Sequence, residues 1–219
     1  MASPLTIQPN AKDCSLRSDV PGDNCSSWDG YIGDIDWDAR ADRFLIAFDV
    51  SGVPAGSTVS AVTLSLYWRL SEDSGGAPTT WAVEVHRMLR DWVENQATWN
   101  SYSTGNTWGT AGASNTSTDC SATVSASVTG NGTLANAWGE WSGAGLVADV
   151  QAWVSGTASN YGWLIKAPAI ESAAWNKDNL ARSRAFATTS LRPKLVVTYT
   201  EAATGCPKMT EHYARLRRG

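Results

Sequence analysis

Three stretches of the chain alternate apolar and polar side chains with a period of two, and this pattern constrains the fold more than any other feature. They span residues 43–50, 62–70 and 81–85. Their apolar members are Phe44, Ile46, Phe48, Val50, Val62, Leu64, Leu66, Trp68, Trp81, Val83 and Val85. Because successive side chains of a strand point to opposite faces, each stretch predicts a half-buried strand. We expect the three strands to be neighbours in the core.

Six weaker stretches have the same character, with Gly, Ser, Asn and Thr between them. They are residues 29–37, 122–128, 137–142, 162–167, 183–187 and 195–200. About nine short strands separated by turn residues predict an all-β, antiparallel β-jelly-roll sandwich. A sandwich of this size forms one domain, so residues 1–200 are expected to be a single unit within the 219-residue chain.

One segment departs from the period of two and predicts one short helix. Between residues 145 and 154, apolar side chains recur at helical spacing, and Gly156 follows as a natural helix stop. We expect this helix to close one end of the sandwich.

The charge and the hydropathy pattern exclude two classes of partner. The formal net charge is −4, so no basic field is present to hold nucleic acid. No apolar run approaches the roughly 18 residues of a membrane-spanning helix, which argues against membrane insertion. The first nine residues lack the pattern of a secretory signal, which favours assembly inside a cell over export.

The four cysteines are far apart and form no CxxC pair, and the chain has only two histidines, so a zinc site is not expected. Cys14 and Cys25 close a short polar loop and are predicted to form a disulfide. For Cys120 and Cys206, pairing and free thiols both remain open.

Three aspartates alternate along a predicted strand or loop, at Asp34, Asp36 and Asp38. Clustered carboxylates suit calcium, which is the one metal that the sequence suggests; no other cofactor is indicated. The alternative is a solvated strand face, whose charge Arg40 and Arg43 would neutralise.

The chain contains 12 Trp, more than its core strands need. A flat ring with a polar edge suits stacking on a sugar, although most tryptophans fill cores. Trp108, Trp138 and Trp175 lie in Gly-, Ser- and Asn-rich settings and are predicted to be exposed for carbohydrate binding.

Two carboxylates beside tryptophans, Asp91 and Glu94 with Trp92 and Trp99, could form a glycosidase pair. The alternative is a buried corner in which the rings pack and Glu94 accepts hydrogen bonds from backbone donors, and we favour it. No nucleophile elbow, phosphate loop or metalloprotease motif occurs in the sequence, so no enzymatic activity is expected.

Several spaced elements together resemble the disaggregatase-related (DNRLRE) domain, a β-jelly-roll family that overlaps an alginate-type carbohydrate-binding module family. They are Phe-Asp-Val-Ser at 48–51, Val-Pro-Ala-Gly at 53–56, residues 61–67, Val-His-Arg-Met-Leu-Arg-Asp-Trp-Val-Glu at 85–94, Ala-Thr-Trp-Asn at 97–100, Val-Ala-Asp-Val-Gln-Ala-Trp at 147–153, Asn-Tyr-Gly at 160–162 and Arg-Pro-Lys-Leu-Val-Val-Thr-Tyr at 192–199. The resemblance implies a mostly non-enzymatic module of surface proteins, polysaccharide-degrading enzymes or phage structural proteins. The chain departs from the family at residues 23–30, where Asp-Asn-Cys-Ser-Ser-Trp-Asp-Gly replaces the usual Asn-Tyr-Gly.

Residues 201–219 form a basic tail in which Met209, Tyr213 and Leu216 would share one face of a short helix. A helix this short needs a partner surface, so the tail is predicted to be either an assembly arm or a frayed terminus.

These features favour a non-enzymatic virion accessory protein, either a head decoration or a tail-associated protein, that also adheres to glycans at the virion surface. Its expected partners are other structural proteins, copies of itself and polysaccharide. The alternative is an extracellular carbohydrate-binding module, secreted or on a cell surface, that docks acidic polysaccharide through exposed aromatics.

Overall fold

A computed structural model of the chain describes residues 2–34, 40–73, 78–131, 133–171 and 177–202. Within these ranges the strands are β1 Ala2–Ile7, β2 Lys12–Arg17, β3 Gly30–Asp34, β4 Asp42–Ala47, β5 Thr58–Asp73, β6 Trp81–Met88, β7 Ser101–Ser103, β8 Asn106–Thr107, β9 Cys120–Gly130, β10 Ala137–Ser142, β11 Trp163–Lys166, β12 Lys177–Ala181 and β13 Lys194–Thr200. The helix α1 spans Ala144–Val154, and a short 3-10 turn spans Thr189–Leu191.

The strands pair antiparallel in the order β1-β13-β5-β12-β3-β4-β11-β6-β9, with β10 on β5 and β2 on β4. The long strand β5 organises this arrangement. On one edge, β13 pairs with its first half and β12 with its second, while β10 pairs with its other edge. One layer therefore contains β1, β13, β5 and β10, and the other contains β2, β4, β11, β6 and β9. The strands β12 and β3 connect β5 of the first layer to β4 of the second. The predicted all-β antiparallel sandwich with one short helix is confirmed.

The main hydrophobic core lies between the two layers. Ten apolar residues from the predicted strands and the predicted helix are all buried in it: Val62, Leu64, Leu66, Trp68, Val83, Val85, Val150, Trp153, Leu195 and Val197. The alternation along the strands thus identified the inward face correctly, because a slip of one residue would have exposed every second member.

Two strand predictions were wrong. The three strongest stretches are not all neighbours, since β11 lies between β4 and β6 and β5 is reached only through β12 and β3. Alternation shows which face of a strand is buried, but it does not show which strands pair with it. Residues 183–187 form turns, and the strand in this region is β12, whose Lys177, Asp178 and Asn179 are all buried.

A second hydrophobic cluster covers the outer face of the β2-β4-β11-β6-β9 layer. Leu45 and Leu164 point into it, whereas their strand neighbours point into the main core. Trp92 and Trp108, from the connection between β6 and β9, pack over them. The β2, β4 and β11 part of this layer is therefore buried on both faces, whereas β9 has exposed side chains such as Val124.

The helix α1 packs Leu146, Val150 and Trp153 against the main core. It ends as expected, because Gly156 adopts φ 70° and donates its N–H to the Trp153 carbonyl at 3.1 Å. The Gln151 side chain reaches the start of β5, where it accepts the Val59 N–H at 2.8 Å and donates to the Ser57 carbonyl at 3.2 Å.

Among the described residues, no helix is both long and apolar enough to cross a membrane.

Candidate binding face

The layer that contains β5 exposes aromatic and basic side chains on its outer surface. Ala137, Trp68, Ala181 and Gly30 pair in one row across β10, β5, β12 and β3. Neighbouring strands lie about 4.8 Å apart, so this row spans about 14 Å. We call the surface around it the aromatic face. It comprises Arg17, Trp28, Asp29, Tyr31, Tyr67, Arg69, Trp138, Arg182, Phe186 and Lys194.

Trp138, Tyr67 and Lys194 form one end of the aromatic face. Tyr67 points outward because its neighbours on β5 are in the core, and Trp138 lies opposite it on β10. The two rings meet edge to face, with centroids 5.3 Å apart and planes at 79°. The Lys194 Nζ lies 4.1 Å from the centroid of the Trp138 ring.

A glycine makes room at this end of the face. A Cβ on Gly139, the residue after Trp138, would lie 2.4 Å from the Nε1 atom of the buried Trp68. Only glycine lets β10 lie this close to the indole. The Trp138 indole is half-exposed on this closely packed strand.

Trp28, Tyr31 and Arg17 form the other end. Trp28 is 39% exposed, and its ring centroid lies 6.1 Å from that of Tyr31. The Arg17 guanidinium lies 4.9 Å from each ring centroid. Burial raises the pKa of the Tyr31 hydroxyl, an effect that the nearby Arg17 partly offsets. Tyr31 therefore stays neutral in the physiological range.

Between these ends, the Asp29 carboxylate joins two arginines. Its Oδ2 atom lies 3.2 Å from Nη1 of Arg69 and 3.5 Å from Nη1 of Arg182. The Arg182 guanidinium also lies over the Phe186 ring, 3.9 Å from its centroid. Two guanidinium groups thus converge on one carboxylate in the middle of the face.

The aromatic face combines two kinds of recognition. Flat half-exposed rings can stack on the apolar face of a pyranose, and guanidinium groups bind carboxylates in matching planes. A cation over a ring contributes about 0.5–1 kcal/mol at an exposed site, which holds each ring and its cation together. Four basic side chains belong to the face, although Arg17 among them is buried and forms an ion pair with Asp19 at 2.8 Å.

Of the three tryptophans predicted to bind carbohydrate, one lies on the aromatic face. It is Trp138. Trp108 is only 4% exposed, and its Nε1 donates to the Thr98 carbonyl at 2.9 Å. Its predicted exposure was wrong, because a local setting rich in Gly and Thr did not reveal that the ring packs on the second cluster. Trp175 lies outside the described residues.

The predicted calcium ligands are only partly described. Asp34 is buried, and its Oδ1 accepts the Arg40 backbone N–H at 3.2 Å. Asp36 and Asp38 lie outside the described residues. In the described ranges, no group of three or more His, Cys, Asp or Glu side chains is arranged to hold a metal ion.

Cys14 and Cys25 are free thiols in the structure, not the disulfide we expected. The strand register gives the reason. Cys25 forms an antiparallel bridge with Ser15, one residue beyond Cys14. Adjacent positions point to opposite faces, so the two thiols do not face each other. Burial raises the pKa of Cys14 to about 12 and that of Cys25 to about 11.

Glu94 accepts a hydrogen bond from a backbone donor, as in the arrangement that we favoured over a glycosidase pair. Glu94 accepts the Asp13 backbone N–H at 2.9 Å and binds Nη1 of Arg184 through both oxygens, at 3.0 and 2.9 Å. Asp91 forms a surface ion pair with Lys12 at 2.7 Å. Burial raises the pKa of Asp13 to about 7.

Sequence reasoning missed the Trp28 end of the face. One signal was present: Trp28 lies within the polar run Ser-Ser-Trp-Asp-Gly at residues 26–30. A tryptophan in such a run favours the surface.

Comparison with known protein families identifies a match. The family model described as the disaggregatase related repeat domain matches residues 16–197. A search of curated proteins gives no significant match. The matched region contains the whole aromatic face, from Arg17 to Lys194.

Proposed function

The chain belongs to the disaggregatase related repeat domain family, and from this premise we propose that it is a non-enzymatic module that binds acidic polysaccharide through the aromatic face. The observation that carries this proposal is the pairing of half-exposed rings with cations at both ends of one sheet surface. Lys194 lies 4.1 Å from the Trp138 ring centroid, and Arg17 lies 4.9 Å from the Trp28 centroid.

The aromatic face is long enough for several units of an extended polymer. The four strands β10, β5, β12 and β3 span about 14 Å across the face. A surface of this length accommodates an extended ligand better than a compact one. Rings at each end supply stacking, and arginines between them supply sites for negative groups. An acidic polysaccharide offers apolar sugar faces and regularly spaced carboxylates, so it matches both features.

Binding can be tested by calorimetry with alginate as the acidic polymer and dextran as a neutral one. We expect the native chain to prefer alginate, with an affinity that falls as salt is added. Trp138→Ala and Trp28→Ala should each weaken binding, roughly three- to tenfold, through the lost stacking.

The matched control is Val124→Ala. Val124 is an apolar side chain on β9, outside the aromatic face, and is 39% exposed, the same as Trp28. Its removal should leave the affinity unchanged. Equal affinity of the native chain for alginate and dextran, or equal loss in all three variants, would contradict the proposal.

The non-enzymatic part of the proposal is tested separately. Incubation of the protein with alginate should release no new reducing ends and no unsaturated sugars. Product formation above a heat-inactivated control would show that the module also cleaves its ligand.

The location of the module is a second part of the proposal. We propose a virion accessory protein that uses the aromatic face to adhere to host polysaccharide, with an extracellular binding module as the alternative. Stoichiometric co-purification with particles supports the virion location. Recovery from culture medium, free of particles, supports the alternative.

A further inference from the structure

We infer that Asp29 is an internal competitor of the ligand: the carboxylate of a bound uronic acid takes the place of the Asp29 carboxylate on Arg69 and Arg182. This inference rests on the proposed function and adds a residue that sets its specificity. Asp29 is the acidic side chain of the aromatic face that both arginines contact.

The arginine pair does not need Asp29 to keep its place. Arg182 is supported by the Phe186 ring, whose centroid lies 3.9 Å from the guanidinium. Arg69 is the additional residue of a β-bulge, because Leu180 pairs with Leu70 and Ala181 pairs with Trp68. A bulge re-aims a side chain through the backbone, independently of side-chain contacts.

The loop does not need the Asp29 carboxylate either. The Asp29 carbonyl accepts a hydrogen bond from the Ser15 hydroxyl at 2.8 Å, and the same hydroxyl accepts the Tyr31 N–H at 3.0 Å. These bonds fix the backbone on both sides of Gly30. The carboxylate can therefore swing away while the loop stays in place.

The exchange is energetically feasible because the ion pairs are partly exposed to solvent. The side chains of Asp29, Arg69 and Arg182 are 17%, 44% and 23% exposed. Exposed pairs contribute about 0–1 kcal/mol each, so a ligand carboxylate that makes the same contacts replaces them at little cost. A neutral sugar gains nothing from these arginines and leaves Asp29 in place.

This arrangement has a measurable consequence. While Asp29 occupies the arginines, it lowers the affinity for an acidic ligand without affecting a neutral one. Asp29→Asn should therefore raise the affinity for alginate about two- to fivefold, because the ligand no longer has to displace a carboxylate from the two arginines. The affinity for the propylene glycol ester of alginate, whose carboxylates are blocked, should not change.

The matched control is Glu140→Gln, which removes another carboxylate beside the aromatic face. Glu140 is exposed and its carboxylate accepts a hydrogen bond from the Ser65 hydroxyl at 3.2 Å. If Asp29 acts by occupying the arginines, Glu140→Gln should change the affinity less than Asp29→Asn. Adding Arg69→Gln and Arg182→Gln to the Asp29→Asn variant should abolish the gain.

The experiment is calorimetry with alginate and its ester, on variants whose thermal unfolding matches that of the native chain. Equal gains in Asp29→Asn and Glu140→Gln would overturn the inference, since a general charge effect would explain both. Unchanged or lower affinity in Asp29→Asn would overturn it too, by showing that Asp29 only positions the arginines. If Asp29→Asn destabilises the chain, Asp29→Ser serves as the second variant.

Failure of this inference is distinguishable from failure of the proposed function. If the native chain binds alginate and Trp138→Ala weakens binding, the proposed function stands whatever Asp29→Asn does. If neither the native chain nor Asp29→Asn binds alginate, both are wrong.

Discussion

Replacing Asp13 with asparagine should remove part of the pH dependence of folding stability. Asp13 is fully buried, and its Oδ2 atom accepts hydrogen bonds from the Arg184 backbone N–H at 2.7 Å and from Asn10 Nδ2 at 3.0 Å. Burial is the largest effect on its pKa and raises it from 3.8 to about 7, although these hydrogen bonds lower it.

The sign follows from proton linkage. Between pH 3.8 and about 7 the folded protein keeps a proton on Asp13 that the unfolded chain has lost. The stability that this group contributes is therefore fully present below the lower value. It falls as the pH rises and is gone above the folded pKa of about 7. A difference of about three pKa units corresponds to a loss on the order of 4 kcal/mol.

An asparagine at this position stays neutral and can still accept both hydrogen bonds through its amide oxygen. Asp13→Asn should therefore gain stability relative to the native chain, on the order of 4 kcal/mol between about pH 4 and about pH 8. The pKa of Asp42 is also raised by burial to about 7, but Asp42 is present in both proteins, so its effect cancels in the comparison.

Urea unfolding followed by tryptophan fluorescence, at several pH values, measures this difference. The reasoning would be refuted if the two proteins differed by the same free energy of unfolding at every pH. It would also be refuted if the native chain gained stability relative to Asp13→Asn as the pH rose.

Three further outcomes are expected. Gly139→Ala should lower the free energy of unfolding by about 1–3 kcal/mol, because the new methyl would meet a buried indole. The control Gly22→Ala should leave the free energy of unfolding unchanged, because no atom lies within 4 Å of its new Cβ. Glu94→Ala should lower the free energy of unfolding by about 1–3 kcal/mol, because Glu94 loses its hydrogen bonds to a backbone N–H and to a guanidinium. Asp91→Ala removes an exposed ion pair and should lower it by less than about 1 kcal/mol. Urea unfolding measures both changes. The Cys14 thiol should react with a thiol reagent at about pH 8 only after denaturation, and peptide mapping that finds Cys14 rapidly modified in the folded protein would contradict its burial.

The sequence predicted those parts of the fold whose signal is local. The core faces of β5 and β6 and the helix α1 follow from the spacing of apolar residues alone. The strand β12 was missed because a polar run, Lys177 to Asn179, is buried there, and local hydropathy predicts the opposite.

The candidate site was less predictable because it depends on contacts between distant segments. Trp138 was identified from its polar setting, but its partner Lys194 comes from the last strand of the sandwich. Asp29 meets Arg69 and Arg182 only after three separate segments have come together. Trp108 is the opposite case. Its local sequence is typical of an exposed loop, but its ring is buried by residues distant in the sequence.

The side-chain amide of Gln151 has a consequence for association between chains. It offers one donor and one acceptor to Ser57 and Val59, as a peptide group of a neighbouring strand would. Beyond the end of β10, the edge of β5 would otherwise present these backbone groups to another molecule. The helix thus ends the sheet at this point, and a second chain cannot extend it there without first displacing the glutamine.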